Sequence, residues 1–455
     1  MKKIGNEAIY DAKELGMPRM LVLGFQHMFA MFGATVLVPA LTGLSVSATL
    51  LFAGLGTLLF HLLTKGKVPA FLGSSFAFLG GYAAIAPFLE DPATGEFTVA
   101  NTQMLPYACV GVACAGLLYV LLAALFKAFG AKKVMRFFPP IVTGPIIIAI
   151  GLTLSGSAIG NCMANWWIAI LAIAVVIVCN IWGKGMIKII PILLGVLVSY
   201  IVAACFGMVD FTAVKEAAWI GLPFQMENTV FGLIGNADIS LIIASIITIM
   251  PIAIATIVEH IGDISAISST CERDYIADPG LHRTLLGDGL ATSLAALFGA
   301  PANTTYGENT GVLALSRVYD PKVVRIAAFI AILFSFCPKF AALVSAMPTA
   351  TIGGVSLVLY GMISAVGVRN VVENNVDFTK SRNVIIAALI LVLAIGIKYG
   401  VAGGNISFAI GSVTISLSGL AVAALVGIVL NAVLPGKDYE FGADLQGDTS
   451  VNFKV

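Results

Sequence analysis

Four acidic side chains stand in stretches that are otherwise apolar: Glu259, Asp263, Asp288 and Glu308. A carboxylate at membrane depth costs on the order of 3 kcal/mol or more, so it needs a partner, a cavity or a proton. No Lys or Arg lies in the apolar parts of the same segments, which argues against simple ion pairing for Glu259 and Glu308. Glu259 and Asp263 are spaced to share one helix face. Two like carboxylates near one site cannot both ionise easily, so one can hold a proton near neutral pH. Such a carboxyl donates a hydrogen bond when protonated and accepts one when ionised. That suits binding a heterocycle with alternating N–H and C=O groups, and it suits coupling to protons. Asp263 and Asp288 fit equally a helix–helix tether or a supporting place beside the site.

The elements that must position these groups are membrane spans. The chain of 455 residues is 59% hydrophobic and 11% charged, with mean hydropathy +1.00. Soluble domains carry about 25% charged residues. A net charge of +1 excludes the basic patch that nucleic acid would need. Seven scattered cysteines form no C-x-x-C pair and read as small buried apolar groups. The polar start MKKIGNEAIYDAKELG has no apolar core of a signal peptide, so the first span is expected to act as its own insertion signal. Stretches of about 20 apolar residues number about fourteen: 20–43, 46–64, 68–89, 103–128, 138–158, 164–182, 187–206, 237–262, 284–299, 302–318, 323–346, 349–366, 383–400 and 408–434. With the N-terminus inside, all of the 25 Lys and Arg except Lys215, Lys339 and Lys398 fall on the cytoplasmic side, as the positive-inside rule asks. Both termini are then cytoplasmic.

Two spans are oddly composed. Segments 68–78 (VPAFLGSSFAF) and 302–311 (ANTTYGENTG) are rich in Gly, Ser, Thr and Asn, poor helix formers. Each is expected to run as a short extended piece into a half-helix, breaking the third and tenth segments. Gln26-His27 and Glu259-His260, and likewise Pro69 and Pro301, share nearly one sequence offset, at which Gly73-Ser74-Ser75-Phe76 falls on Thr305-Tyr306-Gly307-Glu308. Seven segments being odd, the halves would be inverted repeats, as in many secondary transporters. Non-helical backbone survives at this depth only beside protein or a cavity, and half-helix N-termini there offer free N–H groups to a polar solute. A reentrant structural loop is the plain alternative. His27 and Gln26 fit a hydrogen-bonded tether as well as a proton-linked role. Phe76 and Tyr306 can stack on an aromatic solute or simply fill space. His61 and His282 fall at cytoplasmic ends.

Several longer motifs are specific: QHMFAMFGATVLVPALTG (26–43), KGKVPAFLGSSFAF (65–78), EHIGDI (259–264), DPGLHR (278–283) and TTYGENTGVLALSRV (304–318). With Glu308-Asn309-Thr310-Gly311 through Ser316-Arg317 as signature, residues 20 to 435 resemble the nucleobase–ascorbate transporter family, most of all its bacterial uracil permease branch. The resemblance implies an all-α polytopic fold of fourteen segments in two inverted repeats. A core domain would comprise 20–136 and 237–346. A gate domain would comprise 137–236 and 347–435 and supply much of a homodimer contact. The segment 1–19 and the tail 436–455 would be cytoplasmic. It further implies proton-coupled uracil import across the inner membrane, with no cofactor. Glu259 and Glu308 would hold the pyrimidine edge, backbone groups of Phe76 and Gly307 would bind the base, and Ser75 and Tyr306 would line the pocket. Asp288 corresponds to a polar position of the ninth segment, His27, Asp263 and Asp288 would support proton coupling, and Tyr360 would belong to the gate. Some uracil permeases carry His where this chain has Asp263. Many purine and xanthine members carry Gln where this chain has Glu308. A purine or xanthine symporter is the rival within the family, and a passive channel the rival outside it. No metal cluster, nucleophile elbow or phosphate loop supports an enzyme.

Overall fold

Without water, main-chain groups must bond to one another, and apolar sequence resolves this by forming helices. That is what the computed structural model contains. It describes residues 4, 7–90, 97–235, 237–410 and 413–437. From the N-terminus, α1 (Met17–Thr42) and α2 (Val46–Leu63) lead through β1 (Leu72–Ser74) into α3 (Leu79–Ile85), and a paired β2 (Leu89–Glu90) and β3 (Phe97–Val99) precede α4 (Leu105–Phe129). Next come α5 (Ala131–Met135), α6 (Pro140–Met163), α7 (Trp166–Ile181), α8 (Met186–Ile189), α9 (Pro191–Cys205) and α10 (Thr212–Glu216). Then α11 (Ile239–Ile249) passes through a 3₁₀ turn at Met250–Ile252 into α12 (Ala253–Thr270). They are followed by α13 (Leu281–Leu297), β4 (Asn303–Thr305), α14 (Gly307–Ser316), α15 (Pro321–Ser335) and α16 (Pro338–Ser345). The chain closes with α17 (Thr349–Glu373), α18 (Ser381–Gly400), paired β5 (Asn405–Ile410) and β6 (Val413–Ser418), and α19 (Gly419–Val433).

Among the described residues seven spans are long and apolar enough to cross a membrane, α11 and α12 counting together as one. The pair α15 and α16 adds an eighth if it is one span bent by 88°. The start of α11 shows how the sequence sets a boundary: the Asp238 carboxylate accepts from Ser240 N at 2.8 Å, satisfying a donor that has no acceptor inside the helix. Asp320 caps α15 and Ser418 caps α19 in the same way. Pro251 lacks an N–H, and the chain tightens to 3₁₀ there rather than running straight through, as the continuous span 237–262 would have it. The last segment also differs from expectation. Residues 405–418 form an antiparallel pair, and only 419–433 are helical, where one helix from 408 was expected. NISFAI and VTISLS alternate polar with β-branched or aromatic residues, a period of two that favours strand. Most of the tail 436–455 lies outside the described residues.

The helices pack in two groups. In one, α2 lies against α13 and α15, and α4 against α13. In the other, α6 lies against α17 and α18, and α7 against α9 and α17. The α6–α17 contact is backbone to backbone. A Cβ on Gly151 would sit 2.2 Å from Tyr360 O, and one on Gly367 would sit 2.5 Å from Ile148 N. Neither atom belongs to a flexible side chain that could step aside. Gly151→Ala is therefore expected to destabilise the protein by about 1–3 kcal/mol, read as a lowered Tm in detergent. Gly396→Ala, where nothing lies within 4 Å, should leave Tm unchanged, and equal Tm values for both variants would refute this packing.

Candidate functional site

The site is built on two extended strands that meet each other. β1 and β4 pair antiparallel, Leu72 with Thr305, Gly73 with Thr304 and Ser74 with Asn303. Two further bonds extend the ribbon: Ser75 N donates to Ala302 O at 2.8 Å and Tyr306 N to Phe71 O at 3.1 Å. Flanking helices serve its outer edges. Leu72 N donates to Thr57 Oγ1 of α2 at 2.9 Å, Thr292 Oγ1 of α13 donates to Asn303 O at 2.9 Å, and Asn303 Nδ2 donates to Phe52 O at 3.0 Å. The ribbon thereby replaces at membrane depth the bonds a helix would have made.

Tyr306 crosses the ribbon. Its hydroxyl donates to Ser74 O at 2.8 Å. Its ring takes the space above Gly73, where a Cβ would lie 2.5 Å from the ring carbon Cζ. Glu308 follows in the first turn of α14, where unpaired N–H groups and the helix dipole favour negative charge. Glu308, Gly307, Glu259 and Asp263 are all partly open to solvent while their neighbours Tyr306, Asn309 and His260 are buried. These acids therefore lie on the partly exposed faces of α12 and α14, which pack together. Glu259 lies within electrostatic range of Asp288 and Glu308. Neither Glu259 nor Glu308 has an ion-pair partner among the described residues.

Several other polar side chains meet partners on neighbouring elements. Asp288 of α13 faces His260 of α12, Oδ2 lying 2.8 Å from Nδ1, with both side chains fully buried. Asp263 accepts from Thr305 Oγ1 at 2.7 Å, tying α12 to β4. His27 of α1 meets Asn309 of α14 twice: Asn309 Nδ2 donates to His27 O at 2.9 Å and lies 3.2 Å from Nδ1. Phe76 packs edge-on against Tyr360 of α17, with ring centroids 6.0 Å apart. Ser75 Oγ and Tyr360 Oη are buried without a hydrogen-bond partner. A cavity of about 470 Å³ reaches from Lys398 and Asn405 inward between α3 and α6, as far as Ala77 and Ile252, and stops short of the acids. No group of His, Cys, Asp and Glu suited to a metal occurs among the described residues.

Sequence reasoning singled out the acids, His27 and the two broken segments, but not the partners. His260, Thr305, Asn309, Thr57 and Thr292 have ordinary types for helices and strands. Their one signal was negative: Asp288 and Asp263 had no cation to pair with, so a neutral or titratable donor had to exist.

The signature of the Permease family matches residues 18–403. The chain belongs to that family. Relatives of this permease include a uracil permease of Bacillus caldolyticus, 42% identical over 440 residues and covering 94% of each chain. A uracil permease of Bacillus subtilis is 40% identical, covering 93% of each. The transmembrane domain of the cyanobacterial bicarbonate transporter BicA shares the fold with a TM-score of 0.54 at 15% identity, covering 93% of this chain and 99% of that one. The permease is thus a multi-pass membrane transporter rather than an enzyme.

Removing one member of a buried polar pair strands the other. His260→Leu is expected to cost about 1–3 kcal/mol, measured as lost thermal stability, and the double variant with Asp288→Leu should be more stable than either single variant. A double variant no better than its parents would mean that the contact carries no coupling.

Proposed function

We propose that this permease imports uracil together with protons across the cytoplasmic membrane by alternating access, and that Glu259 and Glu308 hold the base. The observation that carries the reading is the contrast among the acids. Asp288 meets His260 and Asp263 is bonded by Thr305, whereas Glu259 and Glu308 are partly exposed and have no ion-pair partner among the described residues. Uracil presents N–H and C=O groups in alternation along one edge. A protonated carboxyl can donate to the carbonyls and an ionised one can accept from N–H, while N–H groups at Phe76 and at Gly307, the first residue of α14, supply further donors. Ser75 lines the floor of the pocket, and Tyr306 supports it from below. Asp263, Asp288 and His27 keep the acid-bearing helices in place while protons come and go, and Tyr360 faces Phe76 from the gate. The relatives named as uracil permeases match nearly the whole length, which supports uracil over other bases.

Fourteen segments in two inverted sets of seven account for the packing. The long helices, the bent pair α15–α16, the short apolar α7, α9 and α19, α13 and the two strand-to-helix segments together make up that number. Exchange the halves and α2–α15 becomes α13–α4, α17–α7 becomes α18–α6, and Thr57 serving Leu72 becomes Thr292 serving Asn303. All of these contacts occur. The core domain is then 20–136 with 237–346, and the gate domain 137–236 with 347–435. Both termini are cytoplasmic, and the gate supplies a homodimer contact.

Labelled uracil should accumulate in proteoliposomes when a proton gradient is imposed, and unlabelled uracil should block it better than xanthine. Equilibration without accumulation would remove proton coupling; preference for xanthine would move the substrate to the purines. Glu259→Ala and Glu308→Ala, each removing hydrogen bonds to a charged group worth about 1.5–3 kcal/mol, should lower uptake at limiting uracil by about tenfold or more at equal expression. Wild-type rates in either variant would sink the assignment.

A further inference from the structure

The segment ahead of α1 is tucked into the protein, not splayed over its surface. Ile9 and Ala12 have no exposure and Leu15 has 2%, and they pack with Met20, Leu23, Val318 and Val323. Ile9 forms a one-residue parallel bridge across Val318: its N–H donates to Arg317 O at 2.8 Å, and its carbonyl accepts from Tyr319 N at 2.8 Å. Ala12 N donates to Asp320 Oδ2 at 2.8 Å, and Lys322 Nζ lies 3.1 Å from Asp11 and 3.2 Å from Asp320. All of these partners lie just past the end of α14. Tyr10 reaches the other way. Its hydroxyl donates at 3.0 Å to the carbonyl of Cys271, which ends α12. Its ring lies between the Arg273 guanidinium, 4.1 Å away, and the Tyr319 ring, 5.5 Å away.

From this arrangement we infer that the N-terminal segment is a clamp that fixes the spacing of Glu259 and Glu308 by holding together the ends of α12 and α14, with Tyr10 as its positioning residue. The inference rests on the proposed site. α14 has ten residues, about 15 Å of helix, so a shift at Arg317 is carried to Glu308 with little damping. α12 carries Glu259 and ends at Thr270. Both helices end in strained turns. Arg317 and Glu272 adopt the left-handed backbone conformation, with φ of 52° and 53°, and their side chains approach at 3.6 Å. Non-glycine residues hold that conformation only where surrounding contacts fix it. Ile9 bonds to Arg317 itself and Tyr10 to the residue before Glu272, so the clamp fixes both turns at once.

The experiment compares Tyr10→Ala and Tyr10→Phe with the wild-type full chain. The readouts are uracil KM and kcat in proteoliposomes, Tm, and hydrogen exchange at residues 265–271 and 311–317. Tyr10→Ala should raise KM by about fivefold with a smaller change in kcat, and should speed exchange at both helix ends. Tyr10→Phe keeps the ring between Arg273 and Tyr319, and should fall between wild type and Tyr10→Ala. A lowered Tm with KM and exchange at both ends unchanged would mean that Tyr10 only anchors the terminus and would overturn the inference. If the wild type takes up no uracil, the proposed function fails on its own, and exchange alone decides: faster exchange at both ends upholds the clamp, and exchange confined to residues 7–16 overturns it.

Discussion

Everything at the centre of this protein follows from one constraint: a peptide group removed from water must find a partner, at a cost of several kcal/mol if it does not. Residues 71–75 and 302–306 forgo helix, and each becomes the other's partner through the β1–β4 ribbon. Edges that the ribbon leaves bare are met by hydroxyls from the helices alongside, and the Asn303 amide of the ribbon donates to the carbonyl of Phe52 in α2. Once the ribbon exists, α14 must start beside it, which brings the N-terminal end of a short helix, with Glu308 in its first turn, to the middle of the molecule. The Tyr306 ring can cross the ribbon only because residue 73 has no side chain.

The same arithmetic divides the acids. An acid that serves packing meets a partner where it stands, as Asp288 meets His260, or is bonded by a hydroxyl, as Asp263 is by Thr305. An acid that remains unmatched lies on a partly exposed face. An unpaired acid in a closed core would be a defect; on such a face it is a vacancy in the hydrogen-bonding pattern that a solute can complete. His27 and Asn309 join α1 to the helix that carries Glu308, so the unmatched pair is surrounded by matched ones.

Much of this was legible because the membrane imposes simple rules. Length and apolarity located the helices closely, as for α2, expected at 46–64 and found at Val46–Leu63. Gly, Ser, Thr and Asn in place of apolar residues marked the extended pieces. What escaped reading depended on contacts between distant residues. The pairing of His260 with Asp288 is set by how α12 meets α13, and no local pattern encodes it. The hairpin at 405–418 was hidden by its own apolarity, which a hydropathy scan credits to a helix although the alternation says strand. The N-terminal segment read as a polar cytoplasmic stretch, since Ile9, Ala12 and Leu15 are too few among polar residues to announce burial. Only the floor formed by Val318 and Val323 explains their burial.

The contact between α6 and α17 has a mechanical meaning. At Gly151 and Gly367 backbone atoms of the partner helix approach closely enough to leave no room for a Cβ, so the two helices have little freedom to roll or slide there. Such a joint resembles a dovetail more than a bearing. Slack in the molecule is therefore displaced to surfaces lined by whole side chains, such as the edge-on meeting of Phe76 with Tyr360. Tyr360 belongs to the joint through its carbonyl and to the looser surface through its ring, and thus marks the line where stiffness ends.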